Sequence, residues 1–360
     1  MGCMATAHIN AIATATPPHD VHAAYVELIG TTIEDRRNRL IFQRMANRSG
    51  IEHRWSFFLP ILCEPEDRTP ESFYVRGDYP ATGPRMRFYE EKAPALACEA
   101  IDRLDPDRES ITHLVVASCT GFVAPGLDQL IARRAGLNPS LERTLVGFMG
   151  CYAAVNALRV AHHIVRSEPA ARVLVVNLEL CTLHLQDTQD LERLLAMMVF
   201  GDGCSAALVT AEAQGLAIHD FRAANLPASE ELITWRIGDS GFDMRLSGEV
   251  PGRIQSALAA DRVRNSADGL LRGERAGAYD AWAVHAGGRT ILDAVENGFE
   301  LEGGALARSR EVLRGYGNMS SATLMFVLQK VLAEGAQVDN GMAMAFGPGL
   351  AAETFRFRNA

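Results

Sequence analysis

The chain has 360 residues, 48% of them hydrophobic and 22% charged, with a formal net charge of -9. That length suffices for one large or two ordinary domains with a substantial core and an enclosed pocket. The acidic balance argues against a broad nucleic-acid surface, so a polyanionic substrate would have to be met by a local basic patch. No apolar run reaches the roughly 18 residues needed to span a bilayer.

In chain order, His8–Thr16 reads as a strand ended by Pro17-Pro18, and Asp20 is placed to cap the helix that follows. Arg36–Arg48 reads as a second helix, basic on one side. Residues 60–84 hold five prolines and two glycines and read as a long irregular loop. Arg85–Leu104 has a helical apolar stripe through Met86, Tyr89, Ala93, Leu96, Ala97 and Ala100. From Thr112 onward strands and helices alternate: strands at 112–118, 143–148, 172–179 and 204–211, helices at 127–135, 152–166 and 191–198. A second series follows, with strands at 216–221 and 281–284, helices at 253–271, 290–300, 308–314 and 320–334, and two closing strands flanking Gly347-Pro348-Gly349. Such alternation predicts an α/β protein of mostly parallel, buried strands covered by helices. The boundary between the series falls near residues 212–215, giving halves 1–212 and 213–360. No flexible linker separates them, so they are expected to share one core.

Seven cysteines without regular spacing do not make a secreted disulfide framework. No CxxC, HExxH or clustered Cys/His tract is present, so no metal site is expected. Met1-Gly2-Cys3 fits a loose myristoylation pattern, but the residues after it look like a buried strand. The absence of a signal-like amino terminus points to a cytoplasmic protein with reduced thiols.

Three residues draw attention because each ends an apolar run. Cys151, in Gly147-Phe-Met-Gly-Cys-Tyr, sits on a glycine turn before a predicted helix. A free cysteine is usually just a small buried hydrophobe, yet a helix amino terminus stabilises a thiolate. His285 precedes Gly287 and Gly288, which allow close backbone or ligand approach. The plain alternative is a core histidine. Asn318 lies just before the helix near Ser320 and is either a cap or an oxyanion donor. Phe200, before Gly201-Asp202-Gly203, and the Gly347-Pro348-Gly349 turn have equally plain readings as core and turn.

Taken together, Gly147–Ala154, Val199–Gly203, His285–Gly288, Gly317–Ala322 and Phe346–Leu350 resemble, in order and spacing, chalcone-synthase-like (type III) polyketide synthases. The resemblance covers nearly the whole chain, including Phe42–Met45. It implies a thiolase fold, two related α/β halves in five layers (αβαβα), acting as a homodimer. It implies an acyl-carrying nucleophile at Cys151 and an oxyanion pair at His285 and Asn318. Phe200 matches an aromatic gatekeeper, and Met244 falls where a second gatekeeping Phe is frequent. Gly347, Pro348 and Gly349 match a pocket wall. The coenzyme A site is implied at Arg44, Arg48, Gly287 and Gly288. The family's first basic position falls at Ile41, with Arg39 as candidate substitute.

The cavity, by the same resemblance, includes Cys119, Thr120, Cys181, His184, Trp235, Met244 and Ser320, and is expected to be apolar and widened. The segments 119–126 and 178–185 resemble bacterial alkylresorcinol and alkylpyrone synthases. The expected reaction is therefore condensation of an acyl-CoA starter, a long-chain fatty acyl one, with malonyl-CoA. The thiolate of Cys151 is expected to pair with a His285 imidazolium. Coenzyme A thioesters serve as substrates without any cofactor, and an acyl-carrier protein is the alternative starter donor. A β-ketoacyl-carrier-protein synthase III, which extends once without cyclising, is the nearest rival. A type III synthase with a short starter is another. A Cys-His-Asn peptidase would show a similar Cys-to-His spacing but not this layout. A binding module that keeps the fold without activity is disfavoured by the intact Cys151, His285 and Asn318.

Overall fold

The computed structural model describes residues 5–59, 62–69 and 72–360; the Met1-Gly2 pattern lies outside them, as do Pro60 and Pro70. The chain begins with β1 (Ala7–Ala15), β2 (His19–Asp20), α1 (His22–Thr32), α2 (Arg36–Arg48) and β3 (Trp55–Ser56). After the proline-rich stretch come α3 (Thr82–Leu104), β4 (His113–Ser118), α4 (Leu127–Arg134), β5 (Glu142–Gly147), α5 (Ala153–Ser167), β6 (Val173–Leu180), α6 (Leu191–Val199) and β7 (Asp202–Thr210). The second series is β8 (Leu216–Asn225), β9 (Ile233–Gly238), β10 (Gly241–Leu246), α7 (Val250–Arg264), β11 (Ala281–Val284), α8 (Arg289–Phe299), α9 (Ala307–Tyr316), α10 (Ala322–Glu334), β12 (Gly341–Gly347) and β13 (Ala351–Asn359).

Among the described residues nine strands join in the order β11-β12-β13-β8-β1-β7-β6-β4-β5. The junction is short: β1 meets β8 only through Ala7, His8 and Ile9. On either side of it lies one sheet of the five-layer thiolase-like arrangement. Helices α5 and α10 pack between the sheets, in a core shared by Leu158, Val165, Met325 and Leu328 with Val175, Ala207, Ala283 and Ala345. The run Ala322–Leu328 is buried on every side, as expected of a helix that is apolar all round. One outer face is covered by α3 and α4 through Leu96, Ile101 and Ile131. The other is covered by α7 and α8 through Ile254, Leu258, Leu292 and Val295.

The expected mostly parallel sheet is corrected. Only β4-β5, β4-β6 and β11-β12 are parallel, and the other ladders of the nine-stranded sheet are antiparallel. Burial on both faces produces the same continuous apolar runs whichever direction the partner takes. The hairpin β9-β10 went unread because its burial pattern is mixed. Helix α7 stops at Asn265, which takes a left-handed cap, rather than running on to 271. Asp20 lies one residue outside the cap position of α1. No helix among the described residues is long and apolar enough to cross a membrane.

Candidate active site

The two central helices bring distant residues together at their amino termini. Cys151 occupies a tight 3-10 turn, Gly150–Tyr152, leading into α5. Asn318 lies four residues before α10. The turn at Cys151 needs two left-handed residues, Phe148 (φ 56) and Gly150 (φ 75). A Cβ at Gly150 would stand 2.4 Å from Pro348 Cδ, so only glycine fits here. Ser320 is also left-handed (φ 47). Non-glycine residues in that region are uncommon and cluster at functional sites.

Cys151, His285 and Asn318 line one small cavity with Phe200, Met244, Phe346 and Gly347. His285 follows β11 and is fixed by its N–H to Met344 O (2.8 Å). Its Nδ1 is buried without a hydrogen-bond partner among the described residues. The side chain of Asn318 works in two directions. Its Oδ1 accepts from Ser320 N (2.9 Å), and its Nδ2 donates to Gly287 O (3.2 Å). Gly287 packs against the His285 ring, so the imidazole edge and the Asn318 amide lie at the same short segment.

Burial pushes the Cys151 thiol up to about 12; the Ser320 hydroxyl pulls it down, Glu179 pushes it up, and the Asn318 amide and the Cys151 N–H pull it down. Burial alone holds His285 down at about 3. Burial thus opposes the expected thiolate–imidazolium pair at both partners. Desolvation of both charges works against the favourable helix end.

Glu179 was missed by sequence reasoning. It is fully buried at the end of β6, and burial raises its pKa. Its carboxylate accepts from Cys119 N (3.0 Å), Thr120 Oγ1 (2.8 Å) and Ser321 Oγ (2.5 Å), with Cys119 Sγ at 3.4 Å. Ser320 Oγ lies 3.3 Å from Cys119 Sγ and also faces the Cys151 sulfur. A buried acid inside a strand leaves no periodic trace in sequence.

The small cavity joins two larger spaces. Outward, it shares Leu246, Val250, Gly287 and Ile291 with a groove lined by Arg48, Gly288 and Arg289. Arg44 does not line that groove; it is exposed on α2. Arg39 donates to Ile33 O (2.7 Å) and does not line that groove either. Arg289 was not singled out by the sequence. Inward, Phe200 and Met244 line both the small cavity and a larger one.

The inner cavity is lined by every residue expected there: Cys119, Thr120, Cys181, His184, Trp235, Met244 and Ser320. Trp235 donates to Cys119 O (2.7 Å) and stands edge-on to His184, filling the wall on β9. The space runs instead past Met197 and Leu185 to Leu28, Phe58, Leu59 and Leu62. Of the glycine-proline turn, Gly347 lines the small cavity. Pro348 buttresses Gly150 and accepts from Tyr152 Oη at its carbonyl (3.3 Å), and Gly349 (φ 71) turns the chain into β13.

Comparison with known proteins places this geometry. A family model described as chalcone and stilbene synthases, N-terminal domain, matches residues 2–213, and the corresponding C-terminal domain matches residues 218–360. The alpha-pyrone synthesis polyketide synthase-like protein Pks18 of Mycobacterium tuberculosis is 32% identical over 97% of this chain and 90% of its own. The bisdemethoxycurcumin synthase of Oryza sativa subsp. japonica is 32% identical over 96% of this chain and 90% of its own. Among solved structures, PKS-I from the brown alga Ectocarpus siliculosus superposes with a TM-score of 0.88 at 29% identity, covering 99% of each chain.

Proposed function

The chain belongs to the chalcone and stilbene synthase family of type III polyketide synthases, acyltransferases that use coenzyme A thioesters, and from that premise we propose that it condenses a long-chain acyl-CoA with malonyl-CoA and cyclises the product to an alkylpyrone or alkylresorcinol. The observation that carries the starter assignment is the apolar arm of the inner cavity, from Met197 and Leu185 to Leu28, Phe58, Leu59 and Leu62. Burying each methylene of a fatty chain there is worth about 0.8 kcal/mol, which an aromatic starter would forgo. The relative named for alpha-pyrone synthesis supports pyrone closure.

In this reading the Cys151 thiol passes its proton to His285 as the sulfur attacks the starter thioester. The coenzyme A thiolate leaves and takes that proton. Malonyl-CoA then enters by the groove beside Arg48, Gly288 and Arg289. Its carboxyl carbon departs as CO2, and the electron pair becomes an enolate. His285 and Asn318 donate to the enolate oxygen, each such bond lowering the barrier by about 2.7–4 kcal/mol. The enolate carbon attacks the acyl carbon on Cys151, the sulfur leaves, and the chain has gained two carbons. After reloading on Cys151 and further rounds, an enol oxygen attacks the thioester carbonyl and displaces the thiol to give the pyrone; for the resorcinol a chain carbon adds to a ketone with loss of water, and hydrolysis of the thioester with loss of CO2 frees the product. The chemistry calls for no redox group and no metal. An unpaired edge at β5, with Leu145 41% and Phe122 40% exposed, supports the second copy of a homodimer.

Incubation with malonyl-CoA and an acyl-CoA length series, followed by mass spectrometry, tests the reading. Long-chain triketide or tetraketide products are expected. Preference for acetyl or aromatic starters, or arrest after one condensation, would overturn it.

A further inference from the structure

Arg54 is a buried cation (1% exposed) that belongs to none of the site motifs. Its Nη1 donates to Phe200 O (2.6 Å) and Met197 O (2.9 Å), two carbonyls at the carboxyl end of α6. Its Nε donates to His22 Nδ1 (3.0 Å), and its own N–H donates to Asp20 Oδ1 (3.2 Å). The guanidinium lies 4.7 Å from the centre of the Tyr25 ring. The stem of the side chain fills the space left by two glycines. A Cβ at Gly317 would stand 2.8 Å from Arg54 Cγ, and one at Gly201 would stand 3.4 Å from Arg54 Cβ.

Those glycines flank Phe200 and Asn318. The two segments cross there: Asn318 N donates to Val199 O (2.9 Å), and Gly201 N donates to Asn318 O (2.9 Å). Phe200 stands between the reacting sulfur and the inner cavity, and Asn318 aims its amide beside the sulfur. Both therefore hang on one crossing, which Arg54, itself part of the inner-cavity wall, holds through the carbonyls of Met197 and Phe200.

We propose that Arg54 is a positioning residue that holds Phe200 and Asn318 as one unit and so sets the aperture between Cys151 and the inner cavity. The proposal rests on the reading of Phe200 as a gate and Asn318 as an enolate donor. A slack crossing lets water protonate the enolate, so malonyl-CoA is decarboxylated to acetyl-CoA without a carbon–carbon bond being made. Arg54 thereby governs coupling of decarboxylation to condensation, rather than nucleophile loading.

The test compares R54K, H22L and H22Q with the parent in the full chain. Lysine keeps the charge, but its single ammonium nitrogen cannot take both the Nη1 place at the two carbonyls and the Nε place at His22. H22L removes the acceptor that orients Arg54, and H22Q returns an acceptor oxygen. For R54K and H22L, condensation turnover is expected to fall about tenfold, the effect of loosening an anchor worth about 1.4 kcal/mol. The ratio of acetyl-CoA to polyketide should rise, while iodoacetamide labelling of Cys151 keeps the parental rate; H22Q should restore the ratio. A loss of every activity in proportion to the folded fraction, or an unchanged ratio in folded variants, would overturn the proposal. If R54K does not fold, the H22L and H22Q pair decides, since it leaves Arg54 in place. A parent chain that makes no condensation product refutes instead the function on which the inference rests.

Discussion

Replacing Asn318 with alanine separates its two jobs. The Nδ2 group is the amide donor beside Cys151, and its removal should slow malonyl-CoA decarboxylation about 10²–10³-fold, or about 2.7–4 kcal/mol. The Oδ1 atom holds Ser320 N at 2.9 Å, in a buried and left-handed segment. Leaving that N–H unpaired should cost about 1–3 kcal/mol of stability. N318D distinguishes the effects: a carboxylate oxygen still accepts from Ser320 N, which restores part of the stability while the other oxygen opposes Gly287 O, but it offers no donor to an enolate. Release of acetyl-CoA from malonyl-CoA, measured by chromatography, reports the chemistry. Intact-protein mass after brief exposure to acyl-CoA reports loading of Cys151, which should suffer less. Decarboxylation by N318A within about threefold of the parent would refute the reasoning, as would loading that falls in step with decarboxylation.

G150A should destabilise the fold by about 2–5 kcal/mol, from the left-handed backbone (φ 75) and the overlap with Pro348; an unchanged urea midpoint would show that the turn relaxes freely. E179Q removes a negative charge that opposes the Cys151 thiolate, so alkylation by iodoacetamide at alkaline pH should accelerate about three- to tenfold, and a slower rate would mean that the carboxylate helps the sulfur ionise. Burial, first among the causes, lowers His22 and His162 to about 4 and His184 and His285 to about 3. Folded values depressed below the unfolded one mean stability that is present above about pH 6.5 and lost as the pH falls towards 4, at about 1.4 kcal/mol per pH unit for each histidine. Urea unfolding at pH 7, 6 and 5 should show a declining midpoint, and a flat profile would contradict the burial of these rings.

Much of the site was legible because its residues sit where apolar runs break. Cys151, His285 and Asn318 each follow a buried strand or precede a buried helix, and a reactive group at such a break leaves a mark in the composition around it. Gly150 was readable as a turn. Arg54 and Glu179 left no comparable mark. One lies in an irregular stretch, the other inside a strand whose eight residues are all buried. Their significance comes from partners far away in the chain, Phe200 and Met197 for Arg54 and Ser321 for Glu179.

The sequence by itself determined the alternating elements, the two apolar central helices and the chemical types gathered in the motifs, because periodicity and glycine placement act over a few residues. Tertiary structure alone decided which strands run antiparallel, how Trp235 closes one side of the cavity while the α1 side opens, and that Cys151 and His285 are buried at one cavity. Those properties follow from desolvation and from contacts between segments hundreds of residues apart, and no local pattern encodes them.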